Sequence, residues 1–220
     1  MKIKNVMPRV FMWLFIGLLI TFGTGFVVSM NPVMISNIFG GIARYIILIA
    51  TLGVGLLLGV RLWKMKTSTA ICLFILYTFL TGLTFSIYFV LYKITFLMTI
   101  FLVAASLFGV FAVLGKIIKF DLSKFTTYLL MGLIGIIVLN IINIFIPFGS
   151  TLNLILAIVG LIVFLGYTAI DIQRITKMMP TEETLDKLAI IGAFSLYIDY
   201  INVVIDLINL FGGSSSSRRD

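Results

Sequence analysis

Apolar residues occupy this chain in long runs rather than in alternation. Between Val10 and Phe211, stretches of about 20 residues that are almost free of charge are separated by short polar breaks. A helix of about 20 apolar residues crosses the ~30 Å hydrocarbon layer of a bilayer. Strands of a membrane barrel would alternate apolar and polar side chains instead. The pattern therefore predicts seven membrane-spanning helices, over about 10–30, 42–62, 67–91, 94–114, 125–146, 152–174 and 188–211. The first run superficially resembles a signal peptide. It lacks a small-residue cleavage pattern and further runs follow, so it is read as an uncleaved first helix.

The breaks carry their own signals. Asn31-Pro32 closes the first run, because the residue before a proline is pushed out of the helical region. Gly40-Gly41, then Arg61, Lys64 and Lys66, then Lys93 mark the next three connections. In GKIIKFDLSKF, Asp121 is placed to cap the fifth span. Pro147 opens the turn before the sixth span, and a longer polar segment with Pro180, Glu182 and Glu183 precedes the seventh. Gly53, Gly55 and Gly59 are expected to let the second span pack closely. The hydroxyls of Tyr77, Thr78, Thr81, Thr84 and Ser86 in the third span are expected to bond back to their own helix or to a neighbour.

The last run, GAFSLYIDYINVVIDLINLFG, has a pattern of its own. At ~100° per residue, Ser195, Asp199, Asn202, Asp206 and Asn209 share an arc of roughly 80°, and the remaining faces are Leu, Ile, Val, Phe and Tyr. An ionisable carboxyl in a spanning helix must face protein, a partner or a water-filled path.

Composition agrees with the pattern. The 220 residues are 61% hydrophobic and 11% charged, with a mean hydropathy of +1.24. Such a chain is an all-α integral membrane protein, here read as a single transmembrane domain over 1–220 with the lipid bilayer as its first partner. A net charge of +8 would suggest nucleic acid as a partner in a soluble protein. Here it reads as membrane topology and no nucleic acid is expected. The N-terminus and the loops after the second, fourth and sixth spans hold Lys2, Lys4, Arg9, Arg61, Lys64, Lys66, Lys116, Lys119, Lys124, Arg174, Lys177 and Lys187. Only Arg44, Lys93, Arg218 and Arg219 of the 16 basic residues fall on the other side. The positive-inside rule places the N-terminus in the cytoplasm and the C-terminus outside. A seventh span that only dips into the membrane would return the tail to the cytoplasm. The chain has no His and only Cys72, which excludes a disulfide framework, His-dependent triads and a transition-metal site. No permanent cofactor and no enzymatic activity are expected.

No Asp or Glu precedes Asp121, so every carboxyl within a span lies in the last two. Asp171 is near the cytoplasmic end of the sixth, and Asp199 lies about 11 residues, roughly 17 Å, into the seventh. Consecutive antiparallel spans pack as neighbours. The two carboxyls can therefore meet if the sixth helix continues a turn or two past Asp171. Two carboxyls in a poorly hydrated site cannot both ionise cheaply, so the pair would titrate as a coupled unit. It would hold two helices together while sharing a proton and release them when the proton leaves. Arg174 is one turn from Asp171, and Arg61 and Lys64 end the second span on the same side; these are the candidate counter-charges. The bland alternative for Asp171 is a structural ion pair. Carboxylate and amide oxygens suit hard cations. Asp171, Asp199 and Asp206 are thus candidate Ca²⁺ ligands, with Ser195, Asn202, Asp206 and Asn209 along an ion path. The plainer reading of Asn202 and Asn209 is hydrogen bonding to neighbouring helices.

YTFLTGLTFS in the third span, KFDLSKF before the fifth, INIFIP at its end, LIVFLGYTAIDIQRI in the sixth and SLYIDYINVVIDLINLFG in the seventh together resemble the transmembrane Bax inhibitor motif (Bax inhibitor-1) family. The short loops and N-terminus are similar to those of its prokaryotic members. The resemblance implies a seven-helix bundle with the seventh helix central, and a pH-sensitive Ca²⁺ leak. It implies that Asp171 and Asp199 form a di-aspartyl pH sensor, bridged by a basic residue at the end of the second span, for which Lys64 and Arg61 are the candidates. The reading is a bacterial inner-membrane Ca²⁺ leak regulated by H⁺. Proton/Ca²⁺ exchange, and a non-conducting regulator of membrane-protein partners in stress or quality control, stand beside it. An intramembrane aspartyl protease would need YD and GxGD signatures that this chain lacks.

Overall fold

A computed structural model describes residues 5–178 and 181–215 of the chain. Lys2, Lys4, Arg218 and Arg219 of the charge count, and Pro180 of the last loop, lie outside the described residues. The described residues form helices α1 Met7–Ser29, α2 Pro32–Phe39, α3 Ala43–Arg61, α4 Thr67–Leu91, α5 Ile94–Ile117, α6 Thr126–Phe145, α7 Ser150–Thr176 and α8 Leu185–Ser215, with no strand among them. Seven of these segments are long and apolar enough to cross a membrane, the fifth beginning at Leu122 in a 3-10 turn that leads into α6. The protein is an all-α, multi-pass membrane protein. The last span is the most buried of the seven.

By contacts the chain divides into two compact units. Met1–Ile94 with Met178–Tyr197 make one, and Thr95–Lys177 with Ile198–Asp220 make the other, so that α8 contributes its first half to one and its second half to the other.

In the first unit α1 packs along α4. Small residues allow that closeness: a Cβ on Gly82 would come within 2.8 Å of the Thr21 carbonyl oxygen and of Thr24 Cβ. Edge-on ring pairs, Phe22 with Phe85 and Phe26 with Phe89, continue the seam at 5.7 and 5.9 Å between centroids. Of the three glycines expected to serve close packing in the second span, Gly55 does so. A Cβ there would sit 3.0 Å from the Tyr77 ring, while Gly53 and Gly59 face open space. The connection after α1, read from sequence as neutral loop, holds α2. Pro32 sits in its first turn, and the Asn31 side chain accepts hydrogen bonds from the amides of Val33 and Met34 at 3.0 and 3.2 Å. A cleft of about 660 Å³ lies between α1, α2 and α4, walled by Val27, Met34, Ile38, Phe79 and Leu83 with Thr24 and Asn37 among them. No predicted site residue lines it. The α4 hydroxyls bond back to their own helix as expected: Thr78 to Ile75, Thr81 to Tyr77, Thr84 to Leu80 and Ser86 to Leu83. The first and last spans begin on the same side, tied by an ion pair between Arg9 and Asp186.

In the second unit α6 and α7 form a hairpin. Asn143 clasps its turn, donating to Asn153 Oδ1 at 3.0 Å and accepting from the Phe148 amide at 2.6 Å. Asp121 caps the entry to the fifth span by accepting from the Ser123 amide at 3.2 Å. That bond first, and then Lys177 at 3.5 Å, hold the Asp121 carboxyl below its usual range.

Candidate functional site

The site is built where α7 and the second half of α8 belong to one unit. α7 does not stop at Asp171; it runs on to Thr176, more than a further turn. Asp171 is thereby carried on regular helix, and its side chain is buried, with 8% of the residue exposed. Asp199, at 4%, is more buried still. α8 starts at Leu185, which puts Asp199 about 14 residues, roughly 21 Å, from its beginning.

The structure brings these two acids together: each lies close enough for its charge to act directly on the other. Their surroundings differ. Arg174 Nη1 stands 3.5 Å from Asp171 Oδ1, one helical turn away and half-exposed, so Asp171 has a cation on its watery side. The Thr168 hydroxyl lies beside the Asp199 carboxyl. Asp199 Oδ2 is buried with no hydrogen-bond partner among the described residues. A buried carboxylate with an oxygen unbonded loses its solvation without replacement, which favours the neutral acid or a bound cation.

Thr168 escaped the sequence reading, although it precedes Asp171 by three residues on the same face of α7. Its hydroxyl also lies 2.9 Å from the Phe164 carbonyl, as donor to it. One hydroxyl proton serves one acceptor at a time. With Asp199 ionised the Thr168 proton can turn to the carboxylate; with Asp199 protonated, Thr168 can accept from the acid and keep its bond to Phe164. Gln173 also escaped. Buried at 5% exposure, it donates to the carbonyls of Ile118 and Phe120 at 3.0 and 2.9 Å and accepts from the Leu122 amide at 2.9 Å. It thus pins the α5–α6 connection to the turn of α7 that follows Asp171. Its only sequence signal was a polar residue inside a buried motif.

The other candidates are distributed. Asp206 lies two turns beyond Asp199 on α8, against Gly160 of α7. Asn202 donates to the Ile198 carbonyl at 2.8 Å, so its amide turns onto its own helix rather than a neighbouring one. Asn209 is exposed, and Ser195 is half-buried on the part of α8 that belongs to the first unit. Arg61 ends α3 and Lys64 ends the 3-10 turn after it; both are exposed residues of the first unit. The described cationic partner of Asp171 is Arg174. As to Ca²⁺, the oxygens are of the right chemistry, but no group of three or more His, Cys, Asp or Glu side chains gathers among the described residues. Asp171, Asp199 and Asp206 therefore offer a pair and a separate third acid rather than one cage.

Residues 3–216 match the family model described as inhibitor of apoptosis-promoting Bax1. The chain belongs to the Bax inhibitor family. Inner membrane protein YbhL of Escherichia coli is 32% identical over 216 residues, covering 96% of this chain and 92% of YbhL. An uncharacterized protein of Borreliella burgdorferi is 33% identical over 216 residues, covering 96% and 93% of the two chains. A third relative, from Deinococcus radiodurans, is 30% identical over 95% of this chain and 90% of its own. Membership of the Bax inhibitor family thus extends over the whole membrane domain, α1 through α8.

Proposed function

We propose that this Bax inhibitor family member is a pH-sensitive Ca²⁺ leak of the bacterial inner membrane, gated by the proton that Asp171 and Asp199 share. Its work is transport rather than catalysis. The observation that carries the reading is the buried, mutually interacting acid pair, one member of which holds an oxygen that no described group satisfies. While the pair keeps a proton, an acid–carboxylate contact ties α7 to α8. When the proton leaves, two like charges share a dry site, and the helices separate toward water. Flux should therefore rise as the pair deprotonates. The polar face of α8, with Asn202 and Asn209, offers oxygens along the way for a hard cation. The charge asymmetry supports an N-terminus in the cytoplasm and, with seven spans, a C-terminus outside.

The test is Ca²⁺ flux into liposomes carrying the purified protein, measured across pH. Asp199→Asn and Asp171→Asn should each remove the rise in flux with pH that the wild type shows. If both variants track the wild type at every pH, the pair is not the sensor. Flux no greater than that of empty liposomes would favour a non-conducting regulator. Proton/Ca²⁺ exchange has one specific support, a further half-buried acid at Asp206, whose Oδ2 is buried. An imposed pH gradient decides it, since a leak cannot drive Ca²⁺ uphill.

A further inference from the structure

Seven residues beyond Asp199, two turns and roughly 10 Å along α8, Asp206 turns its carboxylate onto the backbone of α7. Gly160 makes the approach achievable: a Cβ there would stand 2.9 Å from Asp206 Cγ and Oδ1 and nearer still to Oδ2. Real Cβ atoms do not come so close, so this carboxylate occupies space that any other residue at position 160 would fill. Asp206 Oδ2 is buried and has no hydrogen-bond partner among the described residues. The amide of Asn202, one turn back on the same face, is committed to the Ile198 carbonyl and not to Asp206.

The charged and titratable groups of the neighbouring helices in the same unit stand away from it. On α7 the nearest are Tyr167 and Asp171, roughly 10 and 16 Å along the helix from Gly160. α5 approaches α8 at Tyr200, whose hydroxyl donates to the Phe101 carbonyl at 3.0 Å, and α5 carries no ionisable side chain before Lys116. α6, packed on α7, has Tyr128 near its start and no acid or base. On α8 itself the neighbours are Asp199 and Tyr200. No described cation is paired with Asp206; the described ion pairs use Asp121, Asp171 and Asp186.

Asp206 is half-buried as a residue, but its Oδ2 gives up solvation and the carboxylate meets no described counter-charge, which favours the protonated form. We propose that Asp206, seated on Gly160, is a second intramembrane proton-binding site of this protein, separate from the Asp171–Asp199 pair. The proton is exchanged with water and no covalent step is involved. Any effect on Ca²⁺ passage rests on the leak proposed above; the site itself does not.

Infrared difference titration of the protein in lipid reads the C=O stretch of protonated carboxyls without requiring conduction. Above the ordinary carboxylate range, where exposed acids have lost their protons, the wild type should show protonated carboxyl signal with two titrating components. Asp206→Asn should remove one and leave the other, whose midpoint Asp199→Asn should in turn lower, leaving Asp171 beside Arg174. Gly160→Ala should displace the carboxyl from its seat, shifting the frequency of the Asp206 component and moving its midpoint by roughly one pH unit. Because Gly160→Ala retains the acid, it tests the site even if Asp206→Asn fails to fold. A carboxyl signal and titration unchanged in Asp206→Asn would overturn the proposal, as would a Gly160→Ala protein that titrates like the wild type. Absence of Ca²⁺ flux with the two infrared components intact would end the leak reading and leave this site standing.

Discussion

Thr21 has one hydroxyl proton and two carbonyl oxygens within reach, Gly17 at 3.0 Å and Thr78 at 2.9 Å. With that proton committed to either, the Thr21 oxygen can only accept from Tyr197, whose hydroxyl lies 2.5 Å away. Both side chains are wholly buried. Their bond fastens α8 to α1, and through Thr78 to α4, within the first unit, two residues before Asp199. Tyr197→Phe deletes one partner and leaves the other short of a donor, at a cost of about 0.5–1.5 kcal/mol. Thr21→Val should cost a similar amount. The double variant should cost distinctly less than the two together, because residues in one hydrogen bond are coupled. Thermal unfolding in detergent of the four proteins reads this directly; strict additivity would mean that the bond contributes nothing. Neither residue stood out in the sequence. A threonine and a tyrosine within apolar runs look like the others in this chain, and only the fold names the partner.

At the scale of the element, α5 and α7 meet backbone to backbone. A Cβ on Gly115 would run into Ala169, with Cα 2.9 Å and the carbonyl carbon 3.0 Å away. On the same helix Gly109 faces open space. Gly115→Ala should therefore destabilise the protein by about 1–3 kcal/mol through overpacking, whereas Gly109→Ala should leave it unchanged or slightly more stable. Comparing melting temperatures of the two variants checks it, and equal values would show that α5 and α7 can separate freely. Helix positions were legible because bilayer thickness dictates run length. Asp171 and Asp199 stood out because a carboxyl inside an apolar run is rare and costly. Gly115 and Gly160 were not, because a glycine in a membrane helix is common, and its worth depends on what stands opposite. α2 was missed for a related reason: eight residues are too few to show a period, and its signals, Asn31 and Pro32, also end a helix.

For the whole molecule, sidedness is the property that joins sequence to structure. Within the units, Arg9 meets Asp186, and Lys177 meets Asp121 at 3.5 Å. Each pair links segments that the charge count assigns to one side. In a Cys72→Ser background, a cysteine at Lys119 should react with a membrane-impermeant maleimide only from the cytoplasmic face, and one at Lys93 only from the outer face. Labelling of both from one face would overturn the proposed orientation. What charge counting could not reveal is how firmly α7 is held. Asn153 grips the hairpin turn at one end, while Ala169 and Gln173 lock the other against α5 and the loop that follows it. α7 is thus the stator of the gate proposed above: with both its ends clamped, a proton leaving the pair would do its work on α8, the rotor that carries Asp199.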